Sequence, residues 1–127
     1  MDILNEEFLL FLKCARAGKL RYMLIGGYAV NYYGYIRNTK DMDAWIAPTS
    51  ENRQSFINTL LCMGYSETEV APLYDEDFTK HFIGHIGSGD STVDILTIVH
   101  QALSYDVAEK DKISFEVTEG VFMEMVH

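Results

Sequence analysis

The sequence predicts an α/β fold of the α+β type, with helices packed against a mixed β-sheet. Two segments carry apolar residues at helical spacing, and each begins at a capping residue and ends at a glycine. Shorter apolar or alternating runs, which are typical of strands, lie between these segments and after them. Helices that alternate with strands and are followed by further strands favour a mixed sheet covered by helices.

Length and composition favour a single domain over residues 1–127. The chain has 127 residues, of which 48% are hydrophobic, and this is enough apolar material for one core. No segment approaches the roughly 18 consecutive apolar residues of a membrane span. The N-terminal segment, with Asp2, Glu6 and Glu7, lacks the basic start of a signal peptide. We therefore expect a cytoplasmic protein that does not bind membranes.

The charge balance argues against a nucleic-acid partner. The formal net charge is -9, with 19 acidic against 10 basic residues. Such a surface repels a phosphate backbone, and the basic residues form only isolated pairs such as Lys110 and Lys112. Cys14 and Cys62 fall in two separate helical patterns, so we interpret them as small buried hydrophobic residues rather than as a disulfide or a metal-binding pair.

The first predicted helix begins at Asn5 and ends at Gly18. Asn5 can cap it, and Glu6 and Glu7 lie in its first turn, where the helix dipole favours negative charge. Glycine is a common residue just beyond a helix C-terminus. The apolar residues of this segment follow helical spacing and form its core-facing side: Phe8, Phe11, Leu12 and Ala15.

A buried strand is predicted next, at residues 22–25, because this run is almost wholly bulky and apolar. Gly26 and Gly27 end it, and a short helix is predicted over residues 28–33. Two glycines at a strand-to-helix turn let the backbone approach a ligand closely, and the start of the following helix offers unpaired amide groups to a phosphate. This turn is therefore a candidate phosphate site.

Residues 41–46 alternate and are predicted to form a second strand. Asp41, Asp43 and Trp45 would lie on one face of this strand, with the apolar residues between them on the other. The two aspartates would be about 6.6–6.8 Å apart along the strand, so their carboxylates can converge on metal ions that are about 3.5–4 Å apart. A metal site is therefore expected beside the phosphate site.

The remaining elements complete the sheet. A helix is predicted over residues 50–64, with a serine cap and a glycine stop. Strands are predicted at 80–86 and 92–99, on either side of a hairpin loop at 87–91, and a last strand is predicted at 113–117.

An Asp-x-Asp triplet by itself carries little information, because it arises readily by chance. The chain contains a second one, Asp75 and Asp77, in the polar stretch LYDEDFTK, where a solvated loop is the better interpretation. Only the first triplet leads a predicted strand and follows a Gly-Gly pair that ends another strand. The context of the first triplet, rather than the triplet itself, indicates a site.

This combination of motifs resembles the nucleotidyltransferase superfamily that includes DNA polymerase beta. In this chain the pattern is LIGG, thirteen residues, then DMDAWI. The version GGYAVNYYGYIRNTKDMD is most similar to small bacterial nucleotidyltransferase-like proteins grouped with antibiotic-modifying enzymes and abortive-infection toxins. The resemblance covers roughly residues 20–99, and it implies the nucleotidyltransferase fold.

The resemblance also implies a third carboxylate, on a later strand beside the first two. The matching residue is Asp94 in STVDILTIV, for which a charge facing water on an edge strand is the alternative. By analogy, Asp41 and Asp43 would hold two Mg²⁺ ions, with Mn²⁺ as a substitute. Asp94 would bind the second ion and help to activate the attacking hydroxyl. Ligands that are all oxygen suit Mg²⁺.

Four further residues are candidates for nucleotide binding. Gly26 and Gly27 would cradle the triphosphate, although Gly27 replaces a serine found in many family members and so removes one hydroxyl. Arg37 and Lys40 lie just before the metal strand and would either neutralise phosphate charge or form solvated surface.

Other residue patterns are weaker candidates. His81 and His85 lie in a predicted strand, where residues four apart are separated by roughly 13 Å and cannot share one ion. A group of four tyrosines would line an acceptor pocket or belong to the core: Tyr28, Tyr32, Tyr33 and Tyr35.

Two functions remain open at this point. One is a metal-dependent transfer of a nucleoside monophosphate from a nucleoside triphosphate to a hydroxyl acceptor, with release of pyrophosphate. The alternative is a nucleotide-binding or protein-interaction module with little catalysis, for example within a toxin–antitoxin pair. The helical segment that often follows the family's core is not recognised before the end at VFMEMVH. The protein is therefore expected to be minimal, to be completed by a partner or a second copy, or to be truncated.

Overall fold

The computed structural model describes residues 6–25, 42–87, 92–100 and 102–126. Its helices in these ranges are α1 (Glu6–Ala17), α2 (Ser50–Cys62), α3 (Glu67–Val70) and α4 (Tyr105–Glu109), with a 3-10 helix at Ala71–Asp75. Its strands are β1 (Tyr22–Ile25), β2 (Met42–Ile46), β3 (Ile83–Ile86), β4 (Val93–Leu96), β5 (Ile113–Thr118) and β6 (Val121–Met125).

The described strands form one six-stranded sheet in the order β3-β4-β2-β1-β6-β5. β2 pairs with β4 in parallel, and so does β1 with β6. The neighbouring pairs β1–β2, β3–β4 and β5–β6 are antiparallel. The predicted fold class, a mixed sheet with helices packed against it, is confirmed.

The two faces of the sheet carry separate apolar clusters. On one face, α1 and α2 cover strand residues such as Leu24, Ile46 and Ile95, and this is the larger core. On the other face, Trp45 packs in a smaller cluster beneath Tyr105 of α4. The alternation predicted for residues 41–46 is therefore confirmed for the described part of that segment, because neighbouring residues of β2 belong to opposite clusters.

The helices α1 and α2 pack closely, and their contact corrects the interpretation of the cysteines. Cys14 and Cys62 form a disulfide, with their Cα atoms 5.6 Å apart. The prediction of two unlinked hydrophobic residues was wrong because their separation of 48 residues says nothing of the distance between the packed helices. Gly18 permits this approach, since a Cβ added there would lie 2.9 Å from Oγ1 of Thr59.

A buried asparagine fastens α2 to the sheet. Asn52 lies in the first turn of α2, and its Oδ1 accepts the backbone N–H of Arg21 at 2.8 Å. Its Nδ2 donates to the carbonyls of Arg21 at 2.9 Å and of Ala47 at 3.1 Å. The cap of this helix is Thr49, one residue before the predicted Ser50, because the Thr49 side chain accepts the N–H of Asn52.

Several elements differ from the prediction. β3 and β4 are shorter than the predicted 80–86 and 92–99, because the next pair, Phe82 and Thr97, keeps only one of its two backbone bonds. The N–H of Thr97 donates to the carbonyl of Phe82 at 3.2 Å, but the N–H of Phe82 donates to the hydroxyl of Thr97 instead of its carbonyl. The predicted strand at 113–117 is present as β5, but β6, α3, α4 and the 3-10 helix were not predicted. The predicted helix at 28–33 lies outside the described residues.

No helix in the described ranges is both long and apolar enough to cross a membrane. The disulfide bears on the compartment more directly, because disulfides persist in oxidising environments and are rare in cytosolic proteins. The expectation of a cytoplasmic protein is therefore not supported by the cysteines.

Replacing Cys62 with Ser should lower the free energy of unfolding by about 2–4 kcal/mol, because the unfolded chain regains the freedom that the cross-link removes. Cys62 is exposed, so little packing is lost with its sulfur. Denaturant titration of the variant and of the wild type, each with and without reductant, measures this difference. Reduced wild type should match the variant, and two free thiols in unreduced, unfolded wild type would contradict the disulfide.

Candidate functional site

Two acidic residues meet where β2 and β4 begin and β1 ends. Asp43 of β2 and Asp94 of β4 are partners in the parallel ladder, so their side chains leave the same face of the sheet. Neighbouring strands are about 4.8 Å apart, which places the two carboxylates in reach of a common ligand. On its other side Asp43 is paired with Ile25, the last residue of β1.

The two acids differ in exposure. Asp43 is only 4% exposed, whereas the side chain of Asp94 is 23% exposed. Neighbouring carboxylates repel each other, and burial weakens the screening of that repulsion by water. A cation or a hydrogen-bond donor bound between the two carboxylates, at this end of the strands, would therefore be stabilising.

A histidine lies next to Asp94 on the neighbouring strand, so that Asp43, Asp94 and His85 form a row across the sheet. His85 of β3 is the ladder partner of Asp94, and its Nδ1 lies 2.7 Å from Oδ1 of Asp94. The side chain of His85 is 66% exposed, so the rest of the ring faces solvent. Thr92 donates its hydroxyl to the same Oδ1 at 3.2 Å. Among the described residues no hydrogen bond reaches Oδ2 of Asp94, which is thus able to bind a cation or a substrate hydroxyl.

Buried hydrogen bonds hold this row in register. The indole N–H of Trp45, two residues beyond Asp43, donates to the carbonyl of Thr97 at 3.1 Å. Thr97 in turn joins the residues before β3 through its backbone and its hydroxyl. These bonds therefore connect β2 and β4 to the segment that leads into β3.

The structure brings together two of the predicted catalytic residues. Asp43 and Asp94 have the expected placement on one face and at one edge. The third, Asp41, lies outside the described residues, as do the predicted nucleotide-binding residues Gly26, Gly27, Arg37 and Lys40. The strand β1 stops at the residue before Gly26, and β2 starts at the residue after Asp41.

The second Asp-x-Asp triplet lies in exposed chain, as predicted. Asp75 ends the 3-10 helix and Asp77 follows it, and both are exposed. Hydrogen bonds from the hydroxyl and the backbone N–H of Thr79 keep the pKa of Asp77 below its usual value. Asp75 thus belongs to a 3-10 helix, and Asp77 to the exposed chain that follows it.

Sequence reasoning missed His85 as part of the site. Sequence analysis tests His81 and His85 only as a pair of metal ligands to one ion. That test excludes the pair, but it does not ask which residue of the neighbouring strand lies opposite His85. The available signal was the predicted hairpin itself, since strands that flank a short loop pair in antiparallel fashion and bring His85 opposite one residue of β4.

Within the described ranges, no group of three His, Cys, Asp or Glu side chains has the arrangement of a metal site. Asp43 and Asp94 supply two carboxylates, and the third predicted ligand lies outside those ranges. No protein-family model, curated protein or solved structure matches this chain. The assignment to the nucleotidyltransferase superfamily therefore stays a prediction, carried by the motif and by the placement of the two acids.

The contact between His85 and Asp94 predicts the tautomer of the histidine. At a pH where the imidazole is neutral, Nδ1 of His85 should carry the proton and donate it to Asp94. Nitrogen-detected NMR of the histidine rings measures this, with His81 as an internal control. The Asp94→Asn variant should lose the preference, and a wild-type His85 protonated only at Nε2 would contradict the hydrogen bond.

Proposed function

We propose that this protein is a metal-dependent nucleotidyltransferase that moves a nucleoside monophosphate from a nucleoside triphosphate to a hydroxyl acceptor and releases pyrophosphate. The observation that carries this proposal is the pairing of Asp43 with Asp94 at the sheet edge where β1 ends. The Gly-Gly pair follows β1 directly in sequence, so a phosphate site and a carboxylate pair would lie side by side.

The residues present are suited to Mg²⁺ or Mn²⁺. Asp43 and Asp94 offer carboxylate oxygens, the ligands that hard divalent cations prefer, and Asp41 would add a third. When bound, such ions neutralise phosphate charge and stabilise the attacking and leaving oxygens. Because Asp43 is held in an inner strand of the sheet, its carboxylate is positioned before any ligand arrives.

Asp94 and His85 have distinct roles in this proposal. Oδ1 of Asp94 is held by His85 and Thr92, which orients Oδ2 toward the acceptor. Oδ2 accepts the proton of the acceptor hydroxyl as its oxygen bonds to the α-phosphorus. The bond from that phosphorus to the pyrophosphate oxygen breaks, and the electron pair leaves with pyrophosphate. Asp94 is thus a catalytic residue, and His85 is a positioning residue.

One observation favours the alternative, a nucleotide-binding or protein-interaction module with little catalysis. The short contact between His85 and Asp94 already engages one carboxylate oxygen. If that contact persists with nucleotide bound, Asp94 has less capacity to hold a cation. Transfer activity decides between these two functions.

The compartment is part of the same proposal. A cytoplasmic protein would keep Cys14 and Cys62 reduced, whereas the disulfide fits an oxidising environment. Trapping free thiols with an alkylating reagent at cell lysis, followed by mass spectrometry, distinguishes reduced cysteines from the disulfide.

Mg²⁺ should stabilise the folded protein through Asp43. At a Mg²⁺ concentration about five times the Kd, the free energy of unfolding should rise by ~1 kcal/mol, because the ion binds only the folded state. Tm should rise by about 3–5 °C for a chain of this size. Asp43→Asn should abolish the rise, and Asp75→Asn, the same change in the exposed triplet, should retain it. An equal rise in both variants would show that Mg²⁺ binds elsewhere.

Transfer should be seen directly with labelled substrates. The protein is incubated with Mg²⁺ and each α-labelled nucleoside triphosphate, with and without small hydroxyl acceptors. We expect pyrophosphate release and label on the protein or on an acceptor, with a loss of at least about a hundredfold in Asp43→Asn and Asp94→Asn. Asp75→Asn should keep full activity. Mg²⁺-dependent nucleotide binding without any pyrophosphate release would instead establish the binding module.

A further inference from the structure

A cleft of about 310 Å³ lies near the start of β1, at the opposite end of that strand from the two acids. Its walls come from the end of α1, the turn that follows, the segment before β5, and β6. Four of the chain's ten basic residues line it: Arg16, Lys19, Arg21 and Lys112. The fold thus concentrates positive charge in one cleft of a protein whose net charge is -9.

Not all of this charge is neutralised by acids. The guanidinium of Arg21 pairs with Asp106 at 3.0 Å and with Glu109 at 2.9 Å, so it is committed to holding α4. Arg16 and Lys19 form no ion pair within the described part of the chain. Two cationic side chains of the cleft are therefore available to an anion.

Two aromatic residues shape the same cleft. The guanidinium carbon of Arg16 lies 4.7 Å from the ring centroid of Phe122, which holds Arg16 over the ring. Tyr22 is 4% exposed, and burial raises the pKa of its hydroxyl to about 12, so it stays protonated at neutral pH. Its oxygen accepts the N–H of Glu124 at 3.4 Å, while no acceptor for its proton is found among the described residues. A phosphate oxygen would accept that proton.

The cleft is also lined by Glu124, whose carboxylate makes one hydrogen bond and a long ion pair with Lys112. Oε1 of Glu124 accepts the hydroxyl of Ser114 at 3.2 Å. Oε2 is buried without a hydrogen-bond partner in the described ranges, and the ammonium of Lys112 is 3.8 Å away, too far for a hydrogen bond. A buried carboxylate oxygen is destabilising unless a donor reaches it. A ligand hydroxyl is such a donor, whereas a bare phosphate dianion is not.

We propose that this cleft binds a small phosphate monoester with free hydroxyl groups, such as a sugar phosphate. Its phosphate lies against Arg16 and Lys19, and one of its hydroxyls donates to Oε2 of Glu124. The cleft volume is at the lower end of the range for small-molecule sites, which suits a ligand of this size. The proposal is independent of nucleotidyl transfer, because the start and end of β1 are about 10 Å apart along the strand.

Calorimetry on the full chain, at constant ionic strength, tests the ligand class with three probes: ribose 5-phosphate, inorganic phosphate and ribose. Ribose 5-phosphate should bind roughly fivefold more tightly than inorganic phosphate, and ribose alone should not bind measurably. Asp43→Asn should leave these affinities unchanged, which separates this cleft from the acidic site. Equal affinity for the two phosphates, or no binding of either at millimolar concentration, would overturn the proposal.

Three variants test the residues. Arg16→Gln should weaken both phosphate probes by roughly fivefold, and Lys80→Gln, an equal charge change at an exposed residue outside the cleft, should not. Glu124→Gln should bind inorganic phosphate more tightly, because a negative charge is removed, while losing the preference for ribose 5-phosphate. A loss in Lys80→Gln equal to that in Arg16→Gln would mean that net charge alone governs binding, and would refute the site. Arg16 is exposed, so its variant keeps the test valid even if Glu124→Gln fails to fold.

Discussion

Parallel pairing between β2 and β4 is the constraint on which the rest of this structure depends. Val93 and Ile95 point into the larger core beneath α1 and α2, so the core itself selects the register of β4. A shift by one residue would turn the side chain of Asp94 into that core and expose the apolar residues beside it. The burial of Val93 and Ile95 in the core, which stabilises the sheet, therefore also places Asp94 next to Asp43.

The part of the site that follows a local period could be predicted from the sequence. Strand alternation predicted Asp43 on the face of Trp45, and the resemblance to the nucleotidyltransferase superfamily pointed to Asp94 as the acid of a later strand. The parts that depend on contacts between distant segments could not be predicted. The position of His85 opposite Asp94 follows from a ladder register, and the disulfide follows from the approach of α1 to α2. The number of residues between two positions determines neither which residue lies opposite His85 nor how closely α1 approaches α2.

The missed elements have a similar cause. β6 carries an alternating pattern, but its recognition needed the turn at Gly120, which has a φ of 77° and lets the chain reverse after β5. α4 is short, so its stability comes from tertiary contacts: Tyr105 packs edge-on against Trp45, and Arg21 binds Glu109. Hydrogen bonding to Arg21 keeps the pKa of Glu109 low. The stability that Glu109 contributes is therefore present above the pKa of this group in the unfolded chain. It is lost as the pH falls through the lower pKa of Glu109 in the folded protein.

β1 separates two regions of opposite charge. Its end, at Ile25, adjoins the carboxylate pair, and its start, at Tyr22, adjoins the basic cleft. The measurement that tests the central claim most directly is paramagnetic broadening of backbone NMR signals by substoichiometric Mn²⁺. The account predicts that the amides of Asp43, Asp94 and Ile25 broaden first, while those of β5 remain sharp. Broadening centred on the exposed acids at 75–77, with sharp signals at Asp43 and Asp94, would contradict it.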